Sequence, residues 1–479
     1  MRNKVVSGMM WLFGERISAQ LVSVIVTVIL ARLLDPEHYG VISIVAVFIT
    51  FSNVFVTGSF STALIQKKEA DDLDFDSAFW LSMATACLLY VVLFFVSPII
   101  AAFYEMPQLI AVIRVMAINL PLAALNSVQR AHLQRNMKFE KFFKVTIGGT
   151  IVSAAFGIGA AAAGLGVWAL VIQQISNILM GSVLLFVVCE WKPRLRFSAI
   201  KVKEIWAFGW KVLATQLVIS TQDDIRKLVV GKVFGAADLA YYDQGCKYPS
   251  LLMTNINAAI NKVMLSVYSK EQDDRQRVLM MLRRSVSVGA YVVVPMMFGF
   301  AAVAEPFVKL MLTEKWLECV PFLQIFCISF VTRPLETCCH QALLSIGKSD
   351  VALITIILIN VTTLLGLLIA VFLLKNVLAI ALFTLVATFV SLVCWLFFAS
   401  KHLGYRLKMQ MRDFIPSLFV GLVMFVVVWF LNNLAINDML LLIVQVVVGA
   451  AVYVGGSVVF KLEPFYYVLG ILKGFLKRK

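Results

Sequence analysis

Charged side chains are scarce in this sequence, and their scarcity excludes an ordinary soluble domain. Only 14% of the 479 residues are Asp, Glu, Lys or Arg, whereas soluble domains carry about 25%. Histidine is rarer still, with four residues, and no two cysteines have the C-x-x-C spacing typical of a metal site. We therefore expect neither a metal nor a cofactor. No signal-peptide cleavage pattern occurs, so the first apolar segment is expected to stay in the mature protein.

Apolar runs occupy most of the chain. Hydrophobic residues make up 61% of it, and the mean hydropathy is +0.91. Runs of about 20 residues, long enough to cross a bilayer as helices, recur along the whole sequence. The sequence thus predicts an all-α integral membrane protein with fourteen transmembrane helices. The predicted spans are 8–33, 38–64, 77–103, 108–131, 142–164, 166–189, 205–233, 238–262, 283–311, 317–344, 350–374, 377–400, 412–431 and 439–460.

The chain has a net charge of +15, and its basic residues are distributed unevenly between the two predicted sides of the membrane. With a cytoplasmic N-terminus and alternating spans, about 30 of the 42 Lys and Arg residues fall in cytoplasmic segments and about five fall outside. This positive-inside pattern predicts that both termini are cytoplasmic. Anionic membrane lipid is a secondary partner for the basic clusters. Nucleic acid is not an expected partner.

The sequence repeats itself after six spans. "WLFGERISAQL" (11–21) and "WAFGWKVLATQL" (206–217) share Trp, Phe, Gly and Ala at a spacing of 195. Further on, Pro121 in "NLPLAALN" corresponds to Pro334 in "TRPLETCC". Because six is an even number, the two copies point the same way and predict two parallel six-helix lobes around a central cavity.

This repeat predicts how the chain is divided. The predicted parts are an N-terminal lobe 1–189, a cytoplasmic linker 190–204, a C-terminal lobe 205–404, two extra C-terminal helices 405–462 and a basic interfacial tail 463–479.

Short outer loops favour a transporter over an enzyme. The outer segment around 312–319 has only a few residues, which leaves little room for a catalytic domain. "ALLSIGKS" (342–349) resembles a phosphate-binding loop, but no strand precedes it and no nucleotide-binding domain surrounds it. We expect Gly347 to end a helix there instead.

The span 205–233 carries unusual charge for a membrane helix. Its "LVISTQDDIRKLVVGK" (217–232) places Asp223, Asp224, Arg226 and Lys227 within an apolar run. One charge at the bilayer centre costs roughly 2.5–3.5 kcal/mol on insertion scales. Two interpretations stay open: a hydrated cavity wall, or a self-neutralising cluster that supports helix packing, because Asp223 and Lys227 are four residues apart.

Several other spans also carry polar side chains, and span 1 repeats the polar stripe of span 7. We predict that these side chains face the substrate cavity. The predicted cavity residues are Arg16, Gln20, Gln173, Lys211, Gln222, Asp223, Asp224, Arg226, Lys227, Arg333 and Glu336.

Five further stretches of the chain are distinctive: "ARLLDPEHYG", "ALIQKKEADDLDF", "QRAHLQRNMKFEKF", "DIRKLVVGKVFGA" and "EKWLECVPFLQIF". Together they resemble bacterial polysaccharide transporters of the multidrug/oligosaccharidyl-lipid/polysaccharide exporter superfamily. The resemblance is to the exopolysaccharide and O-antigen (lipopolysaccharide) branch, which includes the colanic-acid flippase.

The resemblance implies a flippase of the bacterial inner (cytoplasmic) membrane. Such a protein moves undecaprenyl-diphosphate-linked oligosaccharide from the inner to the outer leaflet by alternating access. A polysaccharide polymerase would be a partner, and proton or sodium coupling through Asp223 or Asp224 stays open. The alternatives are a drug/cation antiporter of the same superfamily, a peptidoglycan-precursor flippase, and a membrane glycan polymerase or ligase.

Overall fold

The protein is seen in a computed structural model that describes residues 2–58, 60–67, 70–136, 138–271, 274–434 and 436–476. In these ranges the chain is helical and contains no β-strand. The α-helices are α1 (Arg2–Leu33), α2 (Pro36–Asn53), α3 (Phe60–Gln66), α4 (Asp72–Tyr104), α5 (Gln108–Met116), α6 (Asn119–Arg135), α7 (Phe139–Ala162), α8 (Val167–Val188), α9 (Ala199–Val233), α10 (Ala236–Lys270), α11 (Arg275–Ala302), α12 (Ala304–Met311), α13 (Val320–Phe330), α14 (Arg333–Ser345), α15 (Ser349–Ile369), α16 (Val377–Leu403), α17 (Leu407–Phe430), α18 (Asp438–Val459) and α19 (Glu463–Leu476).

Short segments of other helix types adjoin four of these α-helices. Val54–Gly58 and Ala370–Leu374 are π-helical, and Glu314–Cys319 and Leu431–Asn433 are 3-10 helices. Among the described residues, eleven helical segments are long and apolar enough to cross a membrane. These segments coincide with predicted spans 2–6 and 9–14. The all-α membrane class is therefore confirmed. The other three predicted spans lie on α1, α9 and α10, so the count of fourteen stays a prediction.

The chain forms two compact units, residues 1–240 and 241–479. Inside the first unit, α7 packs along α8 and α1 packs along α7, while α4 contacts α5 and α6. Helix α9 packs against α2, α3 and α4. The packing unit therefore includes the first helix of the second predicted repeat. Packing and repetition divide the chain by different criteria, and the lobe boundaries at 189 and 205 stay a proposal.

In the second unit, α17 packs along α11 and α15 packs along α16. Helix α18 lies against α17 and α12, and α19 contacts α11. The two helices outside the repeat thus pack on the second unit. Gly421 allows the close approach of α17 to α11, because a methyl group there would overlap Val294 Cγ1. Small residues are typical of such contacts between membrane helices.

Predicted spans 4 and 10 are interrupted at corresponding places. Helix α5 gives way to α6 at residues 117–118, and α13 gives way to α14 at residues 331–332. Pro121 and Pro334, matched by the sequence repeat, fall in the first turn of the helix that follows each break. Proline suits a first turn because the N–H group that it lacks would have no helical acceptor there.

The segment that resembles a phosphate-binding loop is a helix end. Gly347 has a φ of 78°, in the left-handed region, and the N–H of Lys348 donates to the carbonyl of Leu343 over 3.0 Å. This turn closes α14 in the usual way, with glycine just after the last helical turn. The expected helix end at Gly347 is confirmed.

Candidate functional site

A partly open cavity of about 540 Å³, with polar and apolar side chains in its wall, lies in the first unit. Its volume falls within the range of about 300–1,000 Å³ that is typical of small-molecule sites. Side chains of α2, α3, α6, α7 and α8 and of the π-helical segment Val54–Gly58 surround it. Polar groups in its wall include Asn53, Thr57, Asn126, Arg130, Gln134 and Asn177. Polar side chains in membrane helices usually face a bundle interior or a hydrated cavity, and these follow that rule.

Arg130 supplies the charge of this cavity, being the charged residue in the described lining. Its side chain keeps accessible surface although it lies on a helix at the centre of the unit, because it borders the open volume. The carboxylate of Glu15 on α1 acts on Arg130 electrostatically. Thr146, another lining residue, donates a 2.7 Å hydrogen bond to Glu15 Oε1. The cavity therefore carries a positive charge at Arg130, and the negative charge of Glu15 on α1 partly balances it.

Two amide oxygens in the wall are short of hydrogen bonds. Asn53 Oδ1 and Asn126 Oδ1 are buried and accept no hydrogen bond from the described protein groups. Leaving such an acceptor unsatisfied costs about 1–3 kcal/mol. Asn177, in contrast, donates through Nδ2 to Ser153 Oγ over 3.1 Å. The cavity thus offers a guanidinium to a polar molecule that enters it, whereas the two amide oxygens are buried within its wall.

The sequence analysis missed Arg130, Asn53 and Asn126. One signal was available: Asn126, Arg130 and Gln134 are spaced four residues apart and form a polar stripe on α6. A second signal was available for Asn53, because Asn53, Thr57 and Ser61 are also spaced four residues apart and all line the cavity.

Two predicted residues of the first unit, Gln20 and Gln173, are not among the described residues that line the cavity. Gln20 is half-buried on α1, the helix that carries Glu15. Gln173 is half-buried on α8 and packs against Gly157 of α7, where an added Cβ would lie 2.7 Å from Gln173 Cβ. Asn177 follows Gln173 by one helical turn and lines the cavity.

The predicted residues on α9 are described only in part. Asp224, Arg226 and Lys227 are half-buried. The described part of the structure does not include the side chains of Lys211, Gln222 and Asp223. It also leaves out the side chain of Arg16 on α1. The role of this set in a substrate cavity stays a prediction.

Ion pairs hold the beginning of α9 within the first unit. Lys67 Nζ lies 2.7 Å from Asp74 Oδ1 and 2.8 Å from Glu204 Oε2, and Lys201 Nζ lies 3.5 Å from Asp74 Oδ2. Partial burial lowers the pKa of Lys67, but its hydrogen bonds to Asp74 and Glu204 outweigh that effect and raise it. The hydrogen bond from Lys67 lowers the pKa of Glu204.

Polar contacts also join the other end of α9 to the end of α4. Lys232 Nζ lies 2.8 Å from Glu105 Oε1. The hydroxyl of Tyr104 donates to the backbone carbonyl of Leu228 over 3.1 Å. Polar contacts therefore join α9 to the same neighbour at both ends.

In the second unit, Glu336 is 5% exposed and its carboxylate is fully hydrogen-bonded. Thr332 Oγ1 donates to Oε1 over 2.7 Å, and Ser391 Oγ donates to Oε2 over 2.8 Å. These bonds tie α14 to α16. The predicted neighbour Arg333 is exposed, with its guanidinium 5.7 Å from the centre of the Phe330 ring. A place for these two residues in a substrate cavity stays a prediction.

Helix content, spans and a partly open cavity define a multi-pass membrane protein. Residues 29–321 match the family described as polysaccharide biosynthesis protein. This match covers more than half of the chain, which therefore belongs to that family.

Relatives of known name support this membership. The chain is 24% identical over 354 residues to the teichuronic acid biosynthesis protein TuaB of Bacillus subtilis (strain 168), covering 73% of both chains. It is 23% identical over 359 residues to the lipopolysaccharide biosynthesis protein WzxC of Escherichia coli (strain K12), covering 74% of this chain and 72% of the other.

The fold is that of a solved transporter structure. The lipid II flippase MurJ in an inward closed conformation superimposes with a TM-score of 0.73 at 16% identity. The superposition covers 95% of this chain and 98% of MurJ. At this level of identity the likeness shows the fold alone.

Proposed function

We propose that this protein is a flippase, and not an enzyme, that carries a lipid-diphosphate-linked oligosaccharide from the inner to the outer leaflet for surface polysaccharide biosynthesis. The observation that carries the proposal is the cavity in the first unit, whose wall places a guanidinium among several amide and hydroxyl side chains. Membership in the polysaccharide biosynthesis family and the flippase fold support it.

The wall chemistry suits a sugar that bears an anionic group. A guanidinium binds phosphate or carboxylate oxygens through paired N–H donors. Amide oxygens accept hydrogen bonds from sugar hydroxyls, and amide nitrogens donate to them. Asn53 and Asn126 line this cavity, and a rotation of their amide groups towards it would bring their buried, unsatisfied oxygens within reach of a hydroxyl. Arg130 would hold the anionic group beside them.

The polar residues of α1 and α9 extend this proposal. Arg16, Lys211 and Arg226 would attract the diphosphate, and Gln20, Gln173 and Gln222 would bind sugar hydroxyls. The two repeats would alternate access to the two sides of the membrane. Further parts of the proposal are cytoplasmic termini, a polymerase as partner, and coupling to a proton or sodium gradient through Asp223 or Asp224.

Export by cells tests the cavity. Arg130→Gln in cells without the native copy should lower surface polysaccharide more than about tenfold, the loss expected when a charged hydrogen bond is removed. The membrane abundance of the variant should stay near that of the wild type. Lys144→Gln is the matched control, since Lys144 is an exposed cation of the same unit that pairs with Glu140. Normal export by Arg130→Gln would contradict the proposal. If loss of this protein made cells that lack other drug exporters sensitive to drugs, that result would favour an antiporter.

A further inference from the structure

A second cavity, of about 350 Å³, lies in the second unit where α19 meets α11 and α17. Its wall includes Met280, Arg283, Arg284, Asp413, Glu463 and Tyr467. These residues come from the first part of α11, the first part of α17 and the beginning of α19. The cavity is separate from that of the first unit and plays no part in the function proposed above.

The position of this cavity along its helices indicates the edge of the membrane. The apolar parts of α11 and α17 follow the charged residues that line it. Met280 is 62% exposed, and Tyr466 and Tyr467 present exposed rings. Tyrosine at the end of an apolar helix is typical of the headgroup level of a bilayer. Lipid headgroups are therefore the small molecules that this cavity meets at the highest concentration.

One charge pair in the wall is already satisfied. Arg283 donates to both carboxylate oxygens of Asp413, through Nε and Nη2, each over 2.8 Å. The hydroxyl of Tyr405 donates to the same carboxylate over 3.0 Å. Such a bidentate pair is strong and geometrically defined. It forms one rigid, neutral side of the cavity.

The other two charges are placed to meet a ligand. Arg284 is exposed, and its guanidinium carbon lies 3.8 Å from the centre of the Tyr467 ring. A guanidinium stacked on a ring carries its N–H donors at its edge, where they can bind a phosphate. The Glu463 side chain is 91% exposed, and Arg412 Nη2 lies 4.0 Å from its Oε1, which is a long ion pair. Arg284 and Glu463 thus offer one charge of each sign.

We propose that this cavity binds the headgroup of a zwitterionic aminophospholipid, with the phosphate on Arg284 and the primary ammonium on Glu463. The lining charges Arg283, Arg284, Asp413 and Glu463 sum to zero, so a purely anionic headgroup would meet the exposed Glu463 carboxylate, whose ion pair to Arg412 is long. A headgroup with a phosphate and an ammonium complements the exposed charges of both Arg284 and Glu463. Such a lipid would hold α19 against α11.

Native mass spectrometry of the full-length, delipidated protein tests this assignment. The protein is offered phosphatidylethanolamine, phosphatidylcholine and phosphatidylglycerol with identical acyl chains. Phosphatidylethanolamine should bind two- to about fivefold better than either competitor, the range expected of a partly exposed charge pair. Phosphatidylcholine has a phosphate and a positive charge but no ammonium N–H to donate to Glu463.

Two variants and a control make the test specific. Glu463→Gln should abolish the preference over phosphatidylcholine, and Arg284→Gln should weaken the binding of all three lipids. Arg277→Gln, an exposed cation on the same helix that pairs with Glu271, should change nothing. Equal binding of the three lipids by the wild type, or a preference that survives Glu463→Gln, would overturn the proposal. Because Glu463 is exposed, its variant keeps the test decisive even if Arg284→Gln fails to fold.

Discussion

Thr146 on α7 donates a 2.7 Å hydrogen bond to the carboxylate of Glu15 on α1. Thr146 also lines the cavity of the first unit, so this bond connects the wall of the cavity to α1. Arg16 and Gln20, predicted from sequence to face substrate, belong to that same helix. The electrostatic action of Glu15 on Arg130 adds a second link between α1 and the cavity.

Breaking this bond should weaken the connection between the cavity wall and α1. In Thr146→Val the Glu15 carboxylate loses a hydrogen bond, a change of about 1.5–3 kcal/mol for a charged acceptor. We expect a lower melting temperature and reduced export. Thr146→Ser, which loses only the methyl group, should retain both, since its hydroxyl can still donate. Equal behaviour of the two variants in a thermal-stability assay would show that the hydroxyl is not needed.

Neutralising Arg226 or Lys211 tests the predicted role of α9. If the charges of α9 meet the diphosphate, Arg226→Gln or Lys211→Gln should abolish surface polysaccharide at near-normal membrane abundance. The packing interpretation predicts lost abundance instead. It also predicts that replacing Asp223 and Lys227 together with apolar residues restores abundance. Full export by that double variant would remove this pair from the transport path.

Glu336 tests the difference between a packing residue and a substrate residue. Glu336→Leu leaves the hydroxyls of Thr332 and Ser391 without their shared acceptor and should destabilise the protein by about 1–3 kcal/mol. Glu336→Gln keeps an acceptor and should preserve stability and export. Lost export at normal abundance in Glu336→Gln would instead place the carboxylate in the transport path.

The Lys67–Glu204 pair should make the attachment of α9 dependent on pH. Because the folded pKa of Glu204 is lowered, its contribution to stability is present above its unfolded pKa of about 4.3 and is lost as pH falls through the folded value. Because the folded pKa of Lys67 is raised, its contribution is present below about pH 10.4 and is lost as pH rises through the folded value.

Thermal unfolding of purified protein measures this dependence. Glu204→Gln should lower the melting temperature slightly at pH 7, and the difference from wild type should shrink as the pH falls below about 4. The double variant Lys67→Gln with Glu204→Gln completes a cycle that isolates the pair. A difference that is constant across this pH range would contradict an ionic contribution from Glu204.

Thiol labelling tests the orientation predicted from the charge pattern. In a background without the exposed Cys87, cysteine at Arg196 or Gln276 should be protected from a membrane-impermeant reagent in intact cells. Cysteine at Asn437 should react. All three positions are exposed in the structure, so access within the protein does not limit the reaction. The reverse pattern would invert the topology.

Membrane class, helix positions and family could be read from the sequence because each depends on local information. A run of about 20 apolar residues is helical in a bilayer whatever its neighbours, since its backbone groups have no other partners. The polar stripe Asn126–Arg130–Gln134 was equally local and could have been found by helical spacing. The repeat matched Pro121 to Pro334, and each span breaks shortly before its proline.

Only the tertiary structure decided which polar groups share a site. Asn53, Arg130 and Asn177 come from three helices, and no spacing along the chain relates them. Ser391 reaches Glu336 across 55 positions of sequence. In the same way, Arg284 and Glu463 line one cavity because α19 packs on α11. Helical periodicity gives the face on which a side chain lies, whereas helix packing determines what that face contacts. The chemistry of a cavity depends on helix packing.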